Sequence, residues 1–242
     1  MLAKSGYDNS ALTGEDLPLV INPSTWAIAK RFLAVADPLQ NLVDRGGVTH
    51  TFCNQQALTI LEQDGLKEQV RLLRRHLVTF NRGTLWADRG WKCFAHYLDP
   101  RSGKGLGSWP DAAGECEEYF QRALTCWQKG RRDQALFYLG AAIHLVQDLC
   151  VPHHACGVAF NGHQQYEAWV QEHCGLFRVN RGGYYQVASR PGDWVYANAR
   201  LAREYYPRVR TGREYHEVTG VLLGLAQRTT AGFLAYFFSL VT

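Results

Sequence analysis

Apolar residues recur at helical spacing along most of the chain. A repeat of 3.6 residues predicts amphipathic helices. We expect them at 25–36, 52–61, 66–78, 115–129, 134–150, 163–174, 194–206 and 215–240. Asp64-Gly65 predicts a turn between the second and third helices, and Asp133 is the expected N-cap of the fifth. That fifth helix is apolar on nearly all sides, which predicts a buried position.

Strand signals are few by comparison. The best is Tyr-Tyr-Gln-Val at 184–187, and loops are predicted at 100–114 and 178–193. Residues 1–48 differ from the rest because prolines and a Gly-Gly pair interrupt them. The sequence therefore predicts an all-α single-domain helical bundle over 49–242, preceded by an irregular N-terminal extension.

Composition narrows the class of protein. Of 242 residues, 46% are hydrophobic and 20% charged, which excludes disordered, collagen-like and fibrous chains. The formal charge of +4 is too small to argue for nucleic acid. No stretch approaches the roughly 20 apolar residues of a membrane span, and no signal peptide is visible, so we expect no transmembrane segment. Seven cysteines without a Cys-x2-Cys pair indicate free thiols.

Histidines and acids are concentrated around the end of the most apolar helix. His144 and Asp148 are four residues apart, so they leave one face of the helix. His163 and Glu167 repeat this spacing, and His154 follows a proline that breaks the helix between the two pairs. A buried carboxylate and imidazole must be paired or bind metal, because an unpaired buried charge is costly.

Further donors enlarge this set. Asp88, His96 and His50 bring it to eight nitrogen and oxygen donors, too many for one tetrahedral ion and right for two or three. Histidine nitrogen and carboxylate oxygen are zinc ligands, and zinc ions roughly 3.5–4 Å apart stabilise both oxygens of a phosphoester displacement. The remaining histidines are interpreted as structural or surface residues: His76, His153, His173 and His216.

The order of these motifs resembles a known family. The segment 135–154, which ends in His-x3-Asp-x3-Pro-x-His, is followed by His163-x3-Glu167 and is similar to bacterial zinc-dependent phospholipases C of the alpha-toxin class. Thr49-His50, Ala87-Asp88, His96-Tyr97-x-Asp99-Pro100 and Gln227-Arg228-x-Thr230-Ala231-Gly232 occur in the family's order. The resemblance runs from Thr49 to the C-terminus.

The resemblance implies a helical domain that holds three zinc ions in a cleft. It assigns Asp88, His96, His144 and Asp148 to the first ion, His154, His163 and Glu167 to the second, and His50 to the third, with Asp148 as a bridge. It also implies that a metal-bridging hydroxide attacks a phospholipid at a membrane surface, with Asp88 as general base. The products would be diacylglycerol and a phosphorylated head group. A secreted location follows from the family, and no nucleic-acid partner is expected.

Three departures from the family pattern bear on function. The third zinc is completed in the family by an N-terminal Trp, and this chain has none between Trp26 and His50. That zinc site is therefore incomplete, completed by other groups, or completed when processing makes Trp26 the N-terminal residue. Arg89 replaces an aromatic residue that cradles choline, so an anionic head group becomes conceivable. The toxins' lipid-binding β-sandwich has no counterpart before Thr242, and strong membrane lysis is not expected.

Two other functions fit the donor pattern. A zinc-dependent single-strand nuclease has a similar site. The segment that precedes His144, Phe137-Tyr138-Leu139-Gly140, is however closer to that of the phospholipases. A non-catalytic, zinc-stabilised helical module would have every metal position filled by protein. The sequence assigns no substrate-binding residue and leaves head-group preference, metal count and oligomeric state open.

Overall fold

A computed structural model describes residues 47–241 of the chain. All regular structure in this range is helical, as predicted, and no strand occurs within it. The helices are α1 Gly47–Gln63, α2 Lys67–Arg75, α3 Leu77–Ala87, α4 Ala112–Gln128, α5 Arg132–Asp148, α6 His163–His173, α7 Pro191–Glu204, α8 Tyr206–Val209 and α9 Tyr215–Val241. Short 3-10 helices cover Gly90–Ala95, His154–Cys156 and Cys174–Leu176. The predicted 25–36 helix and nearly all of the predicted extension lie outside the described residues.

Helix α5 occupies the centre of the bundle. Every residue in its second half, 139–148, is buried. Its backbone lies so close to α3 that a Cβ on Gly140 would stand 2.2 Å from the carbonyl oxygen of Phe80. A Cβ on Gly83 would stand 1.8 Å from that of Phe137. These contacts leave room only for glycine at both positions and seat α5 against its neighbour.

Helix α9 covers another side of the hydrophobic core. It packs against α1, α5 and α7. By length and composition alone it is the one helix among residues 47–241 that is able to cross a membrane, yet 72% of its most apolar window is buried inside the protein. Such burial is typical of the core helix of a bundle, where apolar residues on all faces meet other helices.

Several predicted helix boundaries were wrong: α1 begins at Gly47 rather than at residue 52, and two further differences have a structural cause. The segment 66–78 is not one helix, because α2 ends at Arg75 and α3 starts at Leu77. The fifth helix begins at Arg132, one residue before the expected N-cap Asp133, and has no side-chain cap. The Asp133 carboxylate lies instead 2.7 Å from the ring of His76 at the α2–α3 break. A contact between distant segments thus replaces the local cap.

The predicted strand at 184–187 was also wrong. The amide of Tyr184 donates to the carbonyl of Arg228 in α9 at 3.1 Å, and residues 47–241 contain no strand to pair with it. A Cβ on Gly232 would stand 1.7 Å from the Tyr184 carbonyl oxygen, so this loop runs directly over α9. Its apolar residues pack on a helix rather than in a sheet. The predicted domain boundary after residue 48 stays a prediction.

Candidate metal centre

Seven of the eight donors predicted from the sequence line one cavity of about 490 Å³, and the eighth, His144, is buried with its Nε2 atom 3.1 Å from Asp148 Oδ2. They form three groups, and the donor atoms within each group lie within 4.8 Å of one another. The groups are His50, His144 and Asp148; Asp88, His96 and His144; and His154, His163 and Glu167. The first two groups share His144, and His154 of the third lies 3.8 Å from Asp148 of the first, so the donors form one continuous cluster.

Separate elements deliver these donors to the cavity. The last turn of α5 supplies His144 and Asp148, and the first turn of α1 supplies His50. Asp88 caps the end of α3, and His96 caps the 3-10 helix that follows. His154, His163 and Glu167 come from the chain after the proline break and from α6.

Asp148 sits at the centre of the cluster with its side chain only 5% exposed. Its Oδ2 atom is 2.8 Å from His96 Nδ1 and 3.1 Å from His144 Nε2. Its Oδ1 atom faces His50 Nε2 at 3.4 Å. The two oxygens therefore face different donors, as a bridging carboxylate requires. Burial alone would raise the pKa of Asp148, but the charges of His144 and His154 hold it well below its usual range.

Backbone carbonyls orient three of the histidines. His96 Nε2 is 3.0 Å from the carbonyl oxygen of Ala87, and His154 Nδ1 is 2.8 Å from that of His96. His163 Nδ1 lies 3.4 Å from the carbonyl oxygen of Ala159. We assign a proton to each of these nitrogens because a carbonyl can only accept. The other ring nitrogen then directs its lone pair into the cluster, as metal-binding histidines do.

A side-chain network orients His50 in the same way. Its Nδ1 donates to the amide oxygen of Gln147 at 2.8 Å. The Gln147 nitrogen donates in turn to Asn54 at 2.9 Å and Thr230 at 3.1 Å, and these groups are buried. This network was not predicted from the sequence. The feature that could have indicated it is Gln147, a polar residue next to Asp148 in the buried half of α5.

The donor geometry fits a cation. His96 Nδ1 and His144 Nε2 are 3.2 Å apart, and both face the same oxygen of Asp148. Acceptor atoms at such separations repel one another unless a proton or a metal ion lies among them. His144 Nδ1 is buried without a hydrogen-bond partner among the described residues, so hydrogen bonding alone does not explain this ring. Imidazole and carboxylate donors are those that zinc prefers.

The third group shows the same electrostatic coupling. Glu167 Oε1 is 2.8 Å from His163 Nε2 and 3.3 Å from His154 Nε2. Burial would raise the pKa of Glu167, but hydrogen bonds from both histidines lower it. The pKa of His154 is raised to about 9, because Asp148 and Glu167 outweigh the effect of burial. Without metal, this cluster retains protons that a bound cation would displace.

The four histidines interpreted as structural occupy other contacts. His76 pairs with Asp133, His173 stacks on Trp169 with ring centres 4.2 Å apart, and His216 contacts Phe177. His153 is closer to the site than its sequence position indicates. It is fully buried and stacks on the ring of His163 at 5.1 Å.

The cavity also has an apolar side. Helices α6 and α9 contribute Val170, Leu222, Leu223 and Ala226. Among the described residues that line it, none is a lysine or arginine. The cavity thus joins a wall of metal-type donors to an apolar, uncharged wall.

Fold and cavity together define a class: a helical protein whose buried core helix presents clustered metal-type donors to a cavity. Residues 49–203 match the family described as zinc dependent phospholipase C. The chain belongs to this zinc-dependent phospholipase C family, which confirms the resemblance in the sequence.

Individual relatives agree with this assignment. A phospholipase C of Bacillus cereus is 28% identical over 172 residues, which cover 60% of this chain and 61% of that protein. A phospholipase C of Clostridium novyi is 26% identical over 162 residues, 57% of this chain and 41% of that protein. The matches thus span about half the length of these relatives. The alpha toxin from Clostridium absonum superimposes with a TM-score of 0.73 at 21% identity, over 82% of this chain and 65% of the toxin, which confirms the all-helical fold.

Proposed function

We propose that the chain is a zinc-dependent phospholipase C that hydrolyses the glycerol-side phosphodiester bond of phospholipids to diacylglycerol and a phosphorylated head group. One observation supports this most directly: three donor groups line a cavity that also has an apolar wall. The relatives named phospholipase C support the same reaction. We propose two to three zinc ions, with the eight donors as their ligands.

The residues of the cluster have separate roles in the proposed reaction. Zinc, when bound, lowers the pKa of water to about 7 and neutralises charge on phosphoryl oxygens. Asp148 supplies negative charge at the centre of the cluster, Glu167 supplies it in the third group, and the oriented histidines direct their lone pairs towards the cluster. Asp88 is 40% exposed, with one oxygen 3.8 Å from His96. It is therefore positioned to take the proton of the attacking water as general base.

The cavity lining favours a lipid over a nucleic acid. Single-stranded nucleic acids are bound in grooves that carry lysine and arginine for the phosphates. The described lining contains neither, and Val170, Leu222, Leu223 and Ala226 make part of it apolar. This surface fits the glycerol and first acyl carbons of a phospholipid, and it argues against the nuclease alternative.

The number of side chains in each group favours catalysis over a structural role. A structural zinc site is closed by four protein ligands, whereas a catalytic one keeps a position for water. The groups that contain His50 and Glu167 each offer three side chains among the described residues, whereas Asp148 faces the histidines of the Asp88 group as a fourth donor. A non-catalytic zinc module is therefore the weaker alternative.

We further propose a secreted protein that acts at a membrane surface, in keeping with the family. All seven cysteines are free thiols, as the sequence predicted. The proposed substrate identifies the membrane as a partner.

The test of the function is the Asp148→Asn variant. It removes the charge that faces His96, His144 and His50, and we expect phosphodiester hydrolysis to fall at least about a hundredfold. Asp133→Asn, at the exposed start of the same helix, is the matched control. Diacylglycerol release from phosphatidylcholine and phosphatidylglycerol vesicles is measured beside cleavage of single-stranded DNA. Full phospholipase C activity in Asp148→Asn would refute the assignment. Cleavage of single-stranded DNA without lipid hydrolysis would establish the nuclease alternative.

A further inference from the structure

Two short segments at the cavity carry exposed aromatic residues. The 3-10 helix Gly90–Ala95 lies between Asp88 and His96, and the turn 157–162 lies between His154 and His163. Both ends of each segment are therefore held by donors of the cluster. Cys93 of the first segment lines the cavity, and the second segment connects His154 and His163, which also line it.

The first segment contributes two rings to a stack of three aromatic rings, and Trp109 from the loop before α4 contributes the third. Trp91 stacks on Phe94 with ring centres 5.6 Å apart, and Phe94 stacks on Trp109 at 4.9 Å. Trp91 is 37% exposed at the outer end. Stacking fixes the orientation of these rings, so the segment presents a rigid aromatic edge rather than a mobile side chain.

The second segment presents a single aromatic residue. Phe160 is 81% exposed, the highest value among the exposed large hydrophobic residues described. Gly157, Asn161 and Gly162 have positive φ angles of 66°, 58° and 93°. This backbone folds the turn tightly and leaves the phenyl ring in solvent. Packing within the protein gives no reason for that exposure.

Positive charge accompanies the aromatic residues. Arg89 is exposed and Lys92 partly exposed on either side of Trp91. The Lys92 ammonium lies over the Trp86 ring, 4.9 Å from its centre. Asp88 faces inward to His96, and the turn 157–162 carries no charge. Aromatic side chains beside basic ones are the composition of surfaces that adsorb to anionic lipid interfaces.

We propose that Trp91, Phe94, Trp109 and Phe160 form an aromatic rim that docks on a phospholipid bilayer containing anionic head groups. Docking would place the cavity mouth against the lipid surface, so that a head group can reach the donor cluster. Arg89 supplies charge complementarity to the anionic lipid. This proposal rests on the proposed function, because the substrate is then part of the bilayer.

The experiment measures partition of the zinc-loaded protein onto vesicles of phosphatidylcholine alone and of phosphatidylcholine with phosphatidylglycerol. Trp91→Ala and Phe160→Ala each remove an interfacial aromatic ring, and we expect partition to fall about tenfold. Arg89→Glu should reduce binding to the anionic vesicles at least about fivefold, and phosphatidylcholine binding much less. Matched controls are Val78→Ala and Leu240→Ala, exposed apolar positions elsewhere, and Arg82→Glu, an exposed charge on α3. These should bind as wild type.

A second assay separates this proposal from the proposed function. Hydrolysis of a short-chain phosphatidylcholine, kept monomeric, should be unchanged in Trp91→Ala and Phe160→Ala. Wild-type vesicle binding by both aromatic variants, or equal losses in the controls, would overturn the aromatic rim. A change of oligomeric state in the variants without a loss of partition would assign the surface to a second copy and also overturn it. If the aromatic variants bind vesicles more weakly but the wild-type protein hydrolyses no lipid, the aromatic rim is supported and only the proposed phospholipase C activity is refuted.

Discussion

At the scale of single residues, Gln147 decides how His50 faces the cluster. It accepts the Nδ1 proton and leaves Nε2 towards Asp148. In Gln147→Leu that acceptor is lost, and the partners Asn54 and Thr230 lose their donor. We expect metal affinity of the His50 group to fall about 10–100-fold. Zinc titration of the metal-free protein measures this.

Gln164→Leu is the control for that titration, because Gln164 lines the same cavity on its exposed α6 side. It should bind zinc as wild type does. Unaltered zinc binding in Gln147→Leu would show that the ring of His50 needs no positioning.

Asp64 provides a second test at this scale, away from the cavity. Its carboxylate accepts hydrogen bonds from the amides of Gly182 at 3.0 Å and Gly183 at 2.8 Å, and from the Tyr185 hydroxyl. Partial burial raises its pKa, but these hydrogen bonds outweigh burial and lower it. Stabilisation by Asp64 is therefore complete above the unfolded pKa of about 4 and is lost as the pH falls towards the folded value.

Asp64→Asn should accordingly lower the free energy of unfolding by about 1–2 kcal/mol at pH 7, because charged acceptors form stronger hydrogen bonds. The difference from wild type should shrink at about pH 3, because the carboxyl of the unfolded chain, with a pKa of about 4, is then largely protonated. Urea unfolding at both pH values measures it, with the exposed Glu172→Gln as control. An equal difference at the two pH values would contradict the assigned role.

Residue types and spacing predicted the donors but not their supports. His144, Asp148, His163 and Glu167 were recognisable because a polar pair one turn apart is costly on a buried face. The supports of the histidines are mostly backbone carbonyls, such as that of Ala87, which any residue would supply. Their positions depend on the fold, and no sequence pattern encodes them.

At the scale of elements, the contact between α3 and α5 sets the position of the donor helix. A methyl group on Gly140 would meet the backbone of Phe80 at 2.2 Å, and a backbone cannot move aside as a flexible side chain does. We expect Gly140→Ala to lower the free energy of unfolding by about 3 kcal/mol, at the upper end of ordinary overpacking costs. Thermal or urea unfolding of the variant measures the loss.

Gly220→Ala is the matched control within α9, because its new methyl group would meet only the Phe177 side chain at 3.7 Å. That substitution should be neutral or stabilise by up to about 1 kcal/mol, as alanine favours helix. Equal stability of the two variants would mean that α3 and α5 are not in close contact.

Helical periodicity predicted most elements correctly and failed where distant contacts decide. The run 215–240 corresponds closely to α9, because an apolar helix of this length has few alternatives. The run 66–78 divides at His76, whose ring pairs with Asp133 from α5. The residues 184–187 have strand-like composition but lie on α9. Local sequence carries no information about these partners.

At the scale of the whole molecule, the donors tie distant parts of the chain together. The donors come from positions as far apart in sequence as His50 and Glu167 and meet at one site. They lie in or next to the separate helices α1, α3, α5 and α6. Spacing predicted two to three ions but not that His144 belongs to two groups. His50, His144 and Asp148 form the group at the expected third ion without a nearby tryptophan among the described residues, and the third zinc stays a prediction.

The central claim is that these donors converge on shared zinc ions, and anomalous scattering at the zinc edge from crystals of the zinc-loaded protein tests it most directly. The account predicts two or three anomalous peaks within the cavity, each within about 2.0–2.2 Å of nitrogen or oxygen atoms of the three donor groups. Loss of a peak on substitution of a donor in its group would support each assignment. No peak in the cavity, or zinc bound only at other side chains, would contradict the account.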